Sequence, residues 1–398
     1  MFKPANNIQD LQYFGEFGGV NPSISDSSTY TFLSAKTMFD TFEGNADGCY
    51  LYSRHSSPSN LYLAEALAAM EGTETATVYA SGMGAITSVI LQLCGAGDHI
   101  VSSRTIYGGT YAFLKNFTPR FQIETSFVDI TNLEQVEASI KPNSKVLYCE
   151  SVSNPLLEVA DIEALAVLAN RHGLQLVVDN TFSPLSISPA KLGAHIVIHS
   201  LTKFINGSSD TVGGVVCGTQ QLIDTLRNVN DGASMLLGST MDSLRAASVL
   251  KNLRTLHIRM QQHSRNALYL AERFEKDGLK TVYPGLKSHP SHELFKRMMH
   301  SQYGFGGMLT IDVGYLEKAN ELMEMMQHKN LGYLAVSLGF YKTLFSAPGT
   351  STSSEIPESE QKAMGLSNGL IRFSIGLDAD INRTYNMMNA CMKALQIL

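Results

Sequence analysis

From about residue 57 the chain alternates between two hydrophobic periods. Leu- and Ala-rich stretches at helical spacing, 61–71, 84–94 and 162–172, predict helices. Between them run short apolar segments rich in β-branched residues. These are TATVYAS (75–81), HIVSS (99–103), VLYCES (146–151), LQLVVDN (174–180), HIVIHS (195–200) and GGVVCG (213–218). Strands that are apolar throughout are buried on both faces. The pattern therefore predicts an α/β unit, with a mainly parallel central sheet and helices on both faces. Ligands in such sheets bind beyond the carboxyl ends of the strands. Ser81, Glu150, Asp179 and Ser200 fall at such ends.

The two ends of the chain read differently. Residues 1–56 are rich in Gly, Ser, Asn and aromatics, with no helical period before about 31–43. Such a segment cannot easily bury itself, so it is expected to be an extended arm packed on another subunit. The α/β unit is expected over 57–254. From 255 to 398 longer helical patterns (261–277, 315–327) alternate with MLTIDV (308–313), LAVSLGF (334–340) and LIRFSIG (370–376). These predict a smaller α+β domain with an antiparallel sheet. TSTSSE (350–355) reads as a polar loop.

Composition narrows the function classes. The 398 residues are 44% hydrophobic and 17% charged, which suits a folded protein with a sizeable core. A net charge of −6, with no dense basic stripe, speaks against a nucleic-acid partner. No apolar run approaches the roughly 18–20 residues that span a bilayer, so no membrane partner is expected. The N-terminus lacks the apolar segment of a secretory signal. The five cysteines are odd in number, dispersed and without metal-ligand spacing. They read as buried free thiols of a cytoplasmic protein that holds no structural metal.

The chemistry centres on Lys203, in HIVIHSLTKFINGSSD (195–210). A lone lysine after a strand is ordinarily a surface residue. Here Ser200 and Thr202 stand beside it, and on an extended chain residues two apart point the same way. An amine with short hydroxyls next to it suits pyridoxal phosphate: the amine forms a Schiff base and the hydroxyls hold the phosphate. Partial burial would lower the amine's pKa. Asp179 ends an apolar strand and either caps the following turn or keeps a pyridine nitrogen protonated. Ser81, Gly82, Met83 and Gly84 join a strand to an apolar helix, and such a turn offers N–H groups to a phosphate. Tyr107, before two glycines, is either a buried structural ring or one that covers a planar cofactor. Tyr52 and Arg54 suit phosphate recognition, although an arginine in a polar loop is commonly just solvated. Arg372 interrupts an apolar strand, which requires either an internal ion pair or a substrate carboxylate.

Together YSRHSSPS (52–59), SGM (81–83), YGGT (107–110), ESVSNP (150–155), VVDNTF (177–182), HSLTKF (199–204), SLG (337–339) and LIRFSIG (370–376) resemble one family. It is the pyridoxal-phosphate enzymes of cysteine and methionine metabolism, which include cystathionine γ-synthase, cystathionine γ-lyase and methionine γ-lyase. The resemblance spans essentially the whole chain. It implies the aspartate aminotransferase-like fold of PLP-dependent transferases, and a homotetramer of close dimers with active sites shared between subunits. It also implies that Lys203 carries the cofactor, Asp179 pairs with the pyridinium, and Tyr107 stacks on the ring and transfers protons. Gly82, Met83, Ser200 and Thr202 would bind phosphate together with Tyr52 and Arg54 of a neighbouring subunit. Asn154, Ser337 and Arg372 would hold the substrate carboxylate.

Within the family, Val336 stands where cystathionine-handling members resemble one another in carrying a glutamate, and valine suits an apolar thioether tail. FGEFGGVNPSI (14–24), LLEVADI (156–162), SPAKLGA (188–194), YPGLKSHP (283–290) and GTSTSSE (349–355) look like its methionine-cleaving branch. The implied reaction is α,γ-elimination of L-methionine to methanethiol, 2-oxobutanoate and ammonia, with homocysteine as a second substrate. Alternatives are γ-replacement on an activated homoserine and cystathionine cleavage. Two features depart from the family pattern: Gly109 where many members have a cysteine, and SAPGTSTSS at 346–354.

Overall fold

The computed structural model describes residues 2–46, 48–351 and 356–398. Residues 352–355 of the predicted polar loop, the first three of which also belong to the 346–354 segment, lie outside them. The central sheet has seven strands: β1 (Thr75–Tyr79), β2 (His99–Ser103), β3 (Glu124–Val128), β4 (Ser144–Glu150), β5 (Gln175–Asp179), β6 (Ile196–Ser200) and β7 (Gly214–Gly218). Their spatial order is β1-β7-β6-β5-β4-β2-β3. From β3 across to β6 all pairings are parallel, whereas β7 runs antiparallel to both β6 and β1. Hence β1 to β6 share one direction, and their carboxyl ends form a single edge.

Side chains alternate across this sheet into two cores. Leu147, Val178, Val197 and Val215 pack on one face, and Tyr148, Val177, Ile198 and Val216 on the other. The apolar runs read as strands because both faces are covered. β3 escaped that reading: ETSFV is polar at its start and mostly half-exposed, as an edge strand can be.

Helix limits follow local chemistry. Ser57 accepts the N–H of Asn60 at 3.3 Å, Pro58 opens the helix Pro58–Glu71, and Gly72 closes it at φ 73°. That helix lies on the sheet face opposite Asp179. Its last residue, Glu71, meets His199 of β6 at 2.7 Å, with both side chains fully buried.

A second sheet, ordered β10-β11-β12-β9-β8, contains β8 (Lys280–Val282), β9 (Met308–Asp312), β10 (Tyr333–Leu334), β11 (Leu344–Ser346) and β12 (Leu370–Ser374). It is antiparallel except for the β10–β11 pair. The predicted strand 334–340 is corrected: regular pairing ends at Leu334, and the backbone then leaves the sheet. Farther along, Gly339 has a φ of +81°. A Cβ there would meet the backbone nitrogen of Phe204 at 2.5 Å, so this stretch is pressed onto the turn that carries Lys203.

The arm is not uniform. Residues 4–9 are helical, Asn7 donates to the carbonyl of Ala69 at 3.2 Å, and Tyr13 donates to that of Tyr62 at 3.0 Å. The first residues therefore pack on their own chain. Beyond them Phe14, Phe17, Val20, Leu33 and Phe39 are exposed. Cys49 is exposed as well, whereas the other four thiols are buried.

Removing Glu71 would leave the buried His199 ring without its partner. Glu71→Ala is expected to lower the unfolding free energy by about 3 kcal/mol. Denaturant titration measures this, and an unchanged midpoint at equal slope would contradict it.

Candidate active site

The shared strand edge and the second sheet enclose a cavity of about 900 Å³, counting its open mouth. Gly82, Met83, Tyr107, Asn154, Asp179, Ser200, Thr202, Lys203, Val336 and Arg372 all line it. Thus most of the residues singled out in the sequence come together, from both sheets and from positions up to 290 apart in the chain.

Lys203 is carried by the turn after β6. Leu201 donates to Gly213 at 2.9 Å and Gly207 to the carbonyl of Lys203 at 2.8 Å, which closes the turn. Arg259 grips the same turn through the carbonyls of Phe204 and Ile205, the latter at 2.8 Å. The Lys203 ammonium group donates to Ser337 Oγ at 3.2 Å. Burial, and secondarily the charge of Arg372, pull its pKa from 10.5 to about 8. The amine is therefore substantially neutral, and so nucleophilic, at mildly alkaline pH.

Ser81 caps the helix Gly82–Leu93 by accepting the Gly84 N–H at 2.9 Å. The first N–H groups of that helix have no intrahelical acceptor. A Cβ on Gly82 would meet the Ser200 side chain at 2.9 Å, so glycine lets the helix start approach β6. Thr202 is not extended beside Ser200 as expected; it sits in the turn and accepts the Gly213 N–H at 3.0 Å. Both hydroxyl residues still border the cavity. N–H groups, hydroxyls and the positive helix end together fit a phosphate.

Asp179 accepts the N–H of Thr181 at 2.9 Å. Burial raises its pKa, and hydrogen bonds from Thr181 work against that rise. A cationic ring nitrogen beside it would favour the ionised form. The local turn and a cofactor role are thus compatible in one side chain. Reactive amine, phosphate cradle and buried carboxylate match the aldehyde, phosphate and ring nitrogen of pyridoxal phosphate.

Arg372, on β12, is only 2% exposed. It donates from Nη1 to Asn154 Oδ1 at 3.0 Å, while its Nε has no partner among the described residues. Burial lowers its pKa to about 10, opposed by the charge of Glu150. An unused donor on a buried guanidinium fits an incoming carboxylate. Tyr107 stands half-exposed at the mouth. A Cβ on Gly109 would come within 2.6 Å of its ring, so this glycine leaves the ring space that a cysteine would occupy.

Tyr52 and Arg54 are absent from this cavity. Arg54 donates to the carbonyl of Met235 at 3.0 Å, and its guanidinium lies 5.9 Å from the Tyr52 ring centre. Sequence reasoning also left unassigned several lining residues: Glu150, Val152, Thr181, Phe182, Val212 and Leu338. Glu150 and Thr181 sit at or just past strand ends, the one signal that could have found them. Among the described residues no group of side chains has metal-binding geometry, and no helix is long and apolar enough to cross a membrane.

The chain matches the Cys/Met metabolism PLP-dependent enzyme family over residues 6–383. It is 47% identical to methionine gamma-lyase of Arabidopsis thaliana, over 94% of this chain and 86% of that protein. It is 40% identical to L-methionine gamma-lyase of Porphyromonas gingivalis, over 91% of this chain and 90% of that one. Its fold superimposes with a TM-score of 0.91, at 27% identity, on a Campylobacter jejuni structure described as an O-acetylhomoserine (thiol)-lyase. That match covers 98% of this chain and 100% of the other, which carries N'-pyridoxyl-lysine-5'-monophosphate. The aspartate aminotransferase-like α/β fold and the cofactor expected from the sequence are thus borne out, and the chain belongs to the Cys/Met metabolism PLP-dependent enzyme family.

Proposed function

We propose that this enzyme cleaves the C–S bond of L-methionine by α,γ-elimination, giving methanethiol, 2-oxobutanoate and ammonia, and that homocysteine is a second substrate. The observation that carries this reading is the cavity wall. Val152, Phe182, Val212, Val336 and Leu338 supply an apolar surface. The acidic lining residues are Glu150 and Asp179, and both oxygens of Glu150 are taken by backbone N–H groups. A thioether tail suits such a wall, whereas a distal ammonium would lack a free carboxylate.

Bound pyridoxal phosphate supplies the electron sink that makes the substrate Cα–H acidic. Arg372, with its unused Nε donor, and Asn154 hold the substrate carboxylate. Lys203, kept near neutrality by burial and by Arg372, takes the Cα proton and acts again at Cβ. Ser337 accepts a hydrogen bond from Nζ and restrains the amine between transfers. Tyr107, at the mouth, covers the ring and protonates the departing sulfur.

Tyr52 and Arg54 complete the phosphate site of a second copy in a homotetramer, and the exposed apolar residues beyond Tyr13 provide the contact surface. The division into an arm (1–56), a cofactor-binding domain (57–254) and a C-terminal domain (255–398) follows the two sheets. A second reading, γ-replacement of an acylated homoserine by a thiol, uses the same residues. Likeness to the Campylobacter jejuni thiol-lyase structure favours it.

Lys203→Ala should abolish methanethiol release from methionine; release at the parental rate would refute the role of this amine. In cofactor-free enzyme the amine attacks an aldehyde only when deprotonated. The rate of pyridoxal phosphate capture should therefore rise with pH through a midpoint near 8; a midpoint near 10.5 would show that burial does not tune the amine. Val336→Glu should shift the ratio of kcat/KM values toward cystathionine by about tenfold, since a carboxylate would meet its distal ammonium. An unchanged ratio in steady-state assays would remove Val336 from substrate selection.

A further inference from the structure

Glu150 ends β4, lines the cavity and is 7% exposed. Its two carboxylate oxygens hold two different stretches of backbone. Oε1 accepts the N–H of Tyr107 at 2.7 Å, and Oε2 accepts the N–H of Asn154 at 2.8 Å. Tyr107 begins the short helix after β2, the sheet neighbour of β4, whereas Asn154 belongs to the loop after β4 itself. One side chain thus fastens two segments that no ladder hydrogen bond connects.

The surroundings make this an expensive way to fill a strand end. Glu150 lies in register with Asp179 on β5, so two carboxylates share one buried sheet face with the Tyr148 phenol. Burial and the adjacent Asp179 push the Glu150 pKa well up. The two N–H donors and Arg372, reaching over from β12, work in the opposite direction. An apolar side chain would avoid the desolvation penalty altogether. It would also leave the Tyr107 and Asn154 N–H groups without their acceptors.

We propose that Glu150 is a positioning residue of the reaction. Its carboxylate holds Tyr107 and Asn154 at one fixed spacing, so that the ring cover and the substrate-carboxylate wall are set by the same group. This rests on the roles proposed above for Tyr107 and Asn154. Asn154 in turn accepts from Arg372, so the clamp extends from β4 to the guanidinium of the second sheet. The nearly isosteric Gln offers one acceptor and one N–H donor. In either orientation one backbone N–H then faces a donor.

The test compares the parent with Glu150→Gln in the cofactor-loaded enzyme, and with Glu150→Asp, which keeps the charge but is too short to hold both groups. Readouts are kcat and KM for methionine, the near-UV circular dichroism of the bound cofactor, and the affinity for L-norleucine, an unreactive isostere. Displacing Asn154 should weaken norleucine binding about tenfold, and displacing Tyr107 should alter the dichroism. Together they should reduce kcat/KM about a hundredfold, with thermal unfolding shifted by only a few degrees. Parental kinetics, dichroism and norleucine affinity in the Gln variant would overturn the proposal, as would the same result in the Asp variant if the Gln form does not fold. If the parent releases no methanethiol, the elimination reading fails, while dichroism and norleucine affinity still decide the clamp.

Discussion

Two cations share one partly dehydrated cavity, Lys203 from the central sheet and Arg372 from the second. Neither has a direct carboxylate partner in the described contacts, and the placement of the other groups follows from managing that charge. Burial and, secondarily, repulsion by Arg372 act in one direction on Lys203, drawing its pKa to about 8. Arg372 stays charged despite burial, with Glu150 offsetting it from across the cavity and an Nε donor left over. In the reading proposed above, the amine made nucleophilic takes the substrate's Cα proton, and the guanidinium with its spare donor holds the carboxylate. Holding the two at working distance is the task of the fold. Gly339 lets the second sheet's loop press onto the Lys203 turn, and Arg259 fastens that turn from the helix Leu256–Lys276.

Much of this was legible in the chain. Strands covered on both faces are apolar throughout, so the interior of the central sheet announced itself, and its edge located Asp179, Ser200 and Lys203. Arg372 was conspicuous because a charge inside an apolar strand requires a reason. Less visible was whatever depends on backbone placement. β3 is an edge strand with a polar start, and β7 reverses direction, which composition does not encode. The stretch 334–340 has strand-like residues but pairs regularly only to Leu334, and Gly339 farther along adopts a positive φ. Glu150 was placed at a strand end, yet nothing local shows that its two oxygens hold separate segments.

The arm illustrates the same boundary. Its first residues carry enough apolar surface to pack on the helix Pro58–Glu71, which their polar composition obscured. The aromatic residues that follow remain exposed, and Tyr52 and Arg54 stay away from the cavity of their own chain. These exposed aromatics, and a tyrosine and an arginine remote from their own cavity, are the observations behind the second copy proposed above.

The most direct measurement is product stoichiometry with L-methionine as sole amino acid and no added thiol. Elimination predicts methanethiol, 2-oxobutanoate and ammonia in equal amounts. Absence of 2-oxobutanoate, together with rapid turnover of an acylated homoserine and sulfide, would contradict it and assign the same site to γ-replacement.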